Sequence, residues 1–170
     1  MDKTIVTAFM VIISVVASVL VFNSLYPAIQ HSSDAMVVMK SRLDERMKSQ
    51  VEIVHASGEL NSSGVWQDVN GDSRFNVFFW TKNIGSSRIS AMDRVDVFFG
   101  PEGDFTRIPH QSTAGGSYPH WTYNIENDAH WNPTATLEVT VHFSATLASG
   151  RYFIKIITPN GVEDQFLMGL

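Results

Sequence analysis

Hydrophobic and polar positions divide this chain into two regimes. From Thr4 to Ser33 no charged side chain occurs, and Asp34 is the first after Lys3. Within that stretch Thr4 to Phe22 is almost wholly apolar. About 20 such residues at roughly 1.5 Å each cover the thickness of a hydrocarbon core, so a helix of membrane-spanning length is predicted. The side chains of Ile5, Val6, Phe9, Met10, Ile12, Ile13, Val16, Val19, Leu20 and Phe22 cannot face water and must meet lipid or neighbouring helices. Ala8, Ser14, Ala17 and Ser18 lie among them, small residues that let helix backbones approach closely where no hydrophobic drive operates. A cleavable secretory signal fits poorly, because Lys3 is the whole basic region and no A-x-A site follows.

Pro27 interrupts this pattern. It lacks an amide hydrogen and disfavours helical geometry at Tyr26, so a kink or short break is expected, with Pro27 as a hinge. The carbonyl of Asn23 then loses its usual partner, which Asn23 and Ser24 are polar enough to help replace. The other reading is that Pro27 opens a new helix after a short loop. Beyond it Met36, Met39, Leu43 and Met47 recur at helical spacing, with Lys40, Arg42, Asp44, Glu45 and Lys48 mostly opposite. Asp44 and Lys48 form an i,i+4 pair with the acid first. The helix is expected to reach about Ser49, a rod of roughly 70 Å.

From Val51 the period changes to two. "VEIVHAS", "RFNVFFWTKN", "RVDVFFG", "DFTRIPH", "HWTYNIEN", "TLEVTVHFS", "RYFIKIITPNG" and "VEDQFLM" are short β-branched and aromatic runs separated by Asn, Gly, Pro and Ser. The stretch "SRFNVFFWTKNIGSSRISAMDRVDVFFG" reads as surface-exposed β structure. In "LEVTVHF", Leu137, Val139, Val141 and Phe143 share one face while Glu138, Thr140 and His142 share the other. Seven or eight strands at this spacing, with no crossover helix, predict an antiparallel immunoglobulin-like sandwich. The fold class is therefore α+β: a helix over residues 1–50, then an all-β domain over 51–170.

Charge and composition narrow the function. Net charge is −5 and the basic residues form no stripe, which argues against a nucleic-acid partner. The absence of cysteine removes disulfides, thiolate metal sites and cysteine nucleophiles together. Asp68, Asn70 and Asp72 resemble the front of a calcium loop, but Phe79 stands where the closing Glu belongs, and Asn70-Gly71 reads better as a hairpin turn. The six histidines (His31, His55, His110, His120, His130 and His142) show no metal-binding spacing, and His120 and His130 beside Trp121 and Trp131 read as loop packing. Trp66, Trp121 and Trp131 are candidates for contacts to glycans or envelope proteins, although core packing suits at least two of them better. No serine sits in a G-x-S-x-G elbow and no phosphate loop precedes a helix, so neither an enzyme nor a cofactor is expected. Gly115-Gly116 lies in a flexible-loop signature. Asn61-Ser62-Ser63 makes Asn61 a candidate N-glycosylation site.

The opening "TIVTAFMVIISVVASVLVFNSLYPAIQHSSDAM", then "LDERMKSQVEIVHASGE", then "VFFWTKNIGSSRI" with "DVFFG" and "FTRIP" resemble the archaellum proteins: archaellins and the accessory proteins of F and G type. The W-x-K-N-x-G run with F-G and F-x-R-I-P is similar to the G-type members especially. The resemblance implies a type IV pilin-like organisation, with processing by a prepilin-peptidase-like enzyme and membrane insertion before assembly. Ile5 rather than Glu is archaellin-like. The chain departs from the precursor pattern in lacking a distinct basic leader; either a short leader is already removed, the preferred reading, or Met1-Asp2-Lys3 is the whole of it. Two roles follow. The first expectation is a subunit of a self-assembling helical motility filament on the cell surface, with the N-terminal helices as its core and itself as partner. The alternative is a membrane-anchored, stator-like accessory protein of the motor that binds an envelope component.

Overall fold

The computed structural model describes residues 2–61, 63, 65, 67–68, 71 and 74–170. Trp66, Asn70, Asp72 and the central serine of the sequon, Ser62, lie outside the described residues. The chain divides into two compact units, Met1–Leu43 and Asp44–Leu170. The division falls inside the helix rather than at its end, because the last helical turn packs with the β domain.

Helix α1 runs Asp2–Lys48 without interruption and contains Pro27 in its interior. Neither a break before Pro27 nor a fresh helix after it is present. A proline costs its own hydrogen bond and crowds the carbonyl four residues back, yet helical residues on both sides can carry it. Ser24 does not relieve Asn23 as expected; its hydroxyl donates to the carbonyl of Val21 at 2.9 Å. Three further hydroxyls behave alike, with Thr7 donating to Lys3, Ser14 to Val11 and Ser18 to Ser14. These hydroxyls are thus satisfied inside the helix. The apolar residues named above are 52–69 % exposed, and α1 is long and apolar enough to cross a membrane.

Among the described residues the second unit holds eight strands: β1 (Val51–Gly58), β2 (Phe75–Asn83), β3 (Asp96–Pro101), β4 (Thr106–Ile108), β5 (His120–Glu126), β6 (Thr136–Phe143), β7 (Arg151–Ile157) and β8 (Glu163–Gly169). They form two antiparallel sheets, ordered β1-β2-β6-β5 and β4-β3-β7-β8. Lettered as in an immunoglobulin domain, that is ABED against C′CFG. Alternation drives the packing: Val77, Phe79, Leu137, Val139 and Val141 from one sheet and Val97, Phe99, Ile154 and Ile156 from the other are all buried in the core. The β2 segment is therefore not a surface strand, since Phe75, Asn76, Val77 and Phe79 are buried.

With no disulfide, two other devices close the domain. The Tyr152 hydroxyl, at the start of β7, donates to the Ala148 carbonyl at 2.8 Å. This is the tyrosine corner of immunoglobulin-like sandwiches, and two residues on, where antibody domains place a cysteine, Ile154 is fully buried. The Asp164 carboxylate on β8 accepts the Ile53 amide hydrogen on β1 at 2.7 Å, where the β1 register shifts between Ile53 and His55. That bond ties the edge of one sheet to the edge of the other and occupies an edge-strand donor.

Candidate functional site

A well-connected polar site surrounds the last turn of α1, Asp44–Lys48, where it enters the sandwich. Arg46 and Lys48 sit at the helix C-terminus, where cations favour the helix dipole. Lys48 pairs with Asp44 at 2.6 Å, the i,i+4 pair expected from sequence, and Arg46 donates to the Gly161 carbonyl at 2.8 Å. The Lys48 carbonyl, which has no acceptor role within the helix, receives the Ser86 amide at 2.7 Å and the Ser87 amide at 3.2 Å. The Gln50 carbonyl receives Ile84 and Gly85 at 2.9 and 3.0 Å.

The receiving loop is the K-N-x-G run, Lys82–Gly85. Asn83 is fully buried, and its amide nitrogen donates to the carbonyls of Ser87 at 2.9 Å and Trp131 at 3.1 Å. Its amide oxygen accepts the Gly85 N–H at 3.0 Å. Gly85 is needed for space: a Cβ there would lie 2.4 Å from the Lys48 oxygen and 2.6 Å from the Gln50 nitrogen. On the far side buried Ser49 accepts from Asn160 and lies 3.2 Å from the Ser87 hydroxyl, while Thr158 holds Asn160 at 2.6 Å. From sequence this run is legible only as a turn motif. Its partners at the helix end, Lys48 and Gln50, are far off in the chain, so no local pattern could have assigned it there.

A second polar cluster occupies one end of sheet β1-β2-β6-β5. His120 and His142 are cross-strand partners with rings 5.1 Å apart. His142 contacts Asn76 at 2.7 Å and Thr122 at 2.9 Å, and His120 contacts the Ser117 carbonyl at 2.9 Å. His110 caps a one-turn helix, α2 (Gln111–Ala114), by accepting the Ser112 amide hydrogen, and rests against Trp121. The loop that holds Gly115-Gly116 thus begins with a helical turn, ended by Gly115 at positive φ. Burial lowers the His110 pKa below its ordinary value; Asp93 opposes the shift and His120 adds to it. The shift favours the neutral imidazole, the form its capping role requires.

Of the other residues singled out in the sequence, Trp121 and Trp131 belong to the core, 0 % and 1 % exposed, and present no surface to a glycan. Trp131 bridges Ile89. Asn61 is exposed, with its side-chain oxygen accepting from Ser63 and Val65 at 2.9 and 3.0 Å. Asp68 accepts the Gly71 amide hydrogen at 2.6 Å, and Gly71 has φ +74°, a turn geometry. Among the described residues no three of His, Asp and Glu are grouped closely enough to hold a metal ion.

Three comparisons bear on these features. The sequence profile of the family described as archaeal-type flagellin matches residues 3–167. An uncharacterized protein of Archaeoglobus fulgidus is 26 % identical over 169 residues, covering 95 % of this chain and 94 % of its own. Among solved structures, the archaellum periplasmic stator protein FlaG of Sulfolobus acidocaldarius matches with a TM-score of 0.54 at 26 % identity. That match covers 71 % of this chain and 99 % of FlaG. The periplasmic stator complex of FlaF and FlaG from the same organism matches with a TM-score of 0.53 at 27 % identity, covering 70 % of this chain and 88 % of the matched one.

Proposed function

The chain belongs to the archaeal-type flagellin family, and we propose that it serves as a membrane-anchored, stator-like accessory protein of an archaellum motor. The observation that carries this reading is the match to FlaG, which takes in 99 % of that stator protein at 26 % identity. It favours the accessory role over the filament subunit that the apolar helix first suggests, since such a helix serves both roles equally. In this role α1 lies in the membrane and the sandwich faces the envelope side. The work is mechanical: an anchored domain resists the load of a rotating assembly and needs neither catalysis nor a cofactor.

The hydrogen-bonded seat of the Asp44–Lys48 turn supports such a role. Load reaching the end of α1 meets backbone bonds from two loops and a buried asparagine, rather than a flexible linker. Several backbone bonds converging on one helix end share such a load.

Shearing filaments from cells of the source organism and fractionating the remainder tests the proposal. The chain is expected in the membrane fraction and absent from the sheared filaments, with swimming lost on its deletion. Its recovery as a major constituent of the filaments would overturn the accessory role in favour of the filament subunit.

A further inference from the structure

On the outward face of sheet β4-β3-β7-β8, Phe98 and Phe153 project away from the core, because their neighbours Val97, Phe99, Ile154 and Tyr152 point inward. Phe105 joins them through Gly100. A Cβ at Gly100 would lie 2.4 Å from the Asp104 oxygen and 2.6 Å from the Phe105 Cα. Glycine therefore lets the β3–β4 turn fold back onto the sheet, which lays the Phe105 ring 4.5 Å from Phe153 and edge-on to Phe98 at 6.5 Å. Leu167 is the cross-strand partner of Phe153. Phe105 and Leu167 remain 43 % and 46 % exposed. Four apolar side chains thus adjoin on a solvent-facing sheet, where alternation ordinarily places polar ones.

Three ion pairs border this patch: Arg107 with Asp96 at 2.5 Å, Lys155 with Glu163 at 2.8 Å and Arg151 with Glu102 at 3.3 Å. Asp104, exposed beside Phe105, adds a carboxylate to the rim. An aromatic centre with such a rim complements an apolar, non-acidic contact surface. The net charge of −5 sets copies of this chain against one another and against an anionic lipid surface.

We propose that this face, centred on Phe98, Phe105, Phe153 and Leu167, is a docking site for a different, non-acidic protein with an apolar contact surface. The identity of the partner rests on the accessory role proposed above: it is a second archaellum protein of the envelope side, related to this chain as FlaF is to FlaG in their complex. A patch on the order of a few hundred Å² supports a reversible contact rather than a permanent one. Anchorage of both proteins in one membrane raises their effective concentration and makes such a contact sufficient.

The test measures binding of the full chain, in detergent micelles, to the purified extracytoplasmic domain of the F-type archaellum protein from the same organism. Phe105→Ser and Leu167→Lys change half-exposed side chains, so both variants are expected to keep the near-ultraviolet circular dichroism of the parent. Each is expected to weaken binding tenfold or more, whereas Tyr123→Ser, on β5 of the opposite sheet, leaves it unchanged. Absence of binding by the parent chain, or parental affinity in both patch variants, overturns the site. So does a self-association of the parent, seen by sedimentation, that Phe105→Ser abolishes, or binding to anionic vesicles through the same residues. Loss of the site under any of these outcomes leaves the fractionation result, and with it the accessory role, intact.

Discussion

Gly85 lies against the backbone of Lys48 so closely that a single added methyl group would meet the Lys48 carbonyl oxygen at 2.4 Å. Two loops and a helix end therefore share one backbone-to-backbone contact. All three of the nearest atoms are main chain, from Lys48, Ser49 and Gln50, so no side chain can swing aside to make room. Gly85→Ala is expected to destabilise the β domain by about 1–3 kcal/mol, the usual scale of overpacking. Denaturant unfolding of the detergent-solubilised chain gives the magnitude. Faster hydrogen exchange at the Ser86 and Ser87 amides, with little change in β6, would locate the effect at the helix seat.

Asn83 satisfies two carbonyls and one amide from a fully buried position. Asn83→Ala removes three hydrogen bonds and leaves buried backbone groups unpaired, for an expected loss of about 2–4 kcal/mol. Asn83→Asp should be at least as damaging, because it keeps the acceptor for Gly85, loses both donors and introduces a buried charge. Equal stability of Asn83→Asp and the parent at neutral pH would show that the donors matter little.

Tyr152→Phe isolates the tyrosine corner, since it removes only the hydroxyl that donates to Ala148. The expected cost is about 1 kcal/mol, the net value of one hydrogen bond, read from the denaturation midpoint.

His110 gives the β domain a pH dependence whose sign follows from burial. Its folded pKa lies below the ordinary value of about 6.5, so the unfolded chain binds the extra proton first. Stability from this group is full above that value and falls as pH drops towards the depressed folded pKa. Below the folded pKa it levels off. Protonation of the ring nitrogen also removes the acceptor for the Ser112 amide. His110→Asn retains a capping side chain that does not titrate, and should flatten this part of the stability profile. An unchanged profile would assign the dependence to other groups.

Pro27 sits inside a continuous helix, so Pro27→Ala should leave the extent of α1 unchanged while returning a hydrogen-bond donor to the Asn23 carbonyl. If the missing bond matters to the motor, cells carrying the variant should hold normal amounts of the protein in their membranes yet swim abnormally. Parental swimming would make the proline incidental.

The sequence by itself determined the elements whose cause is local. The almost wholly apolar run from Thr4 to Phe22, within a stretch free of charge to Ser33, reads as a helix of membrane-spanning length. The period-two runs from Val51 onward located all eight strands, because a side chain's face is set by its neighbours two positions away. Family resemblance was carried by the same local text, the K-N-x-G and F-x-R-I-P runs above all.

Tertiary structure decided what depends on distant partners. Whether β2 faced water or the core turned on its central place between β1 and β6. Asn83 and Gly85 became the seat of a helix end because Lys48 and Gln50, far off in sequence, arrive there. The outward cluster of Phe98, Phe105, Phe153 and Leu167 joins four strands or turns that no window of sequence contains together. Pro27 marks the converse limit, since a local rule expected a kink or a short break and, of the two, the helix runs on without the break. Local preferences of one or a few kcal/mol give way when many contacts on either side favour one conformation.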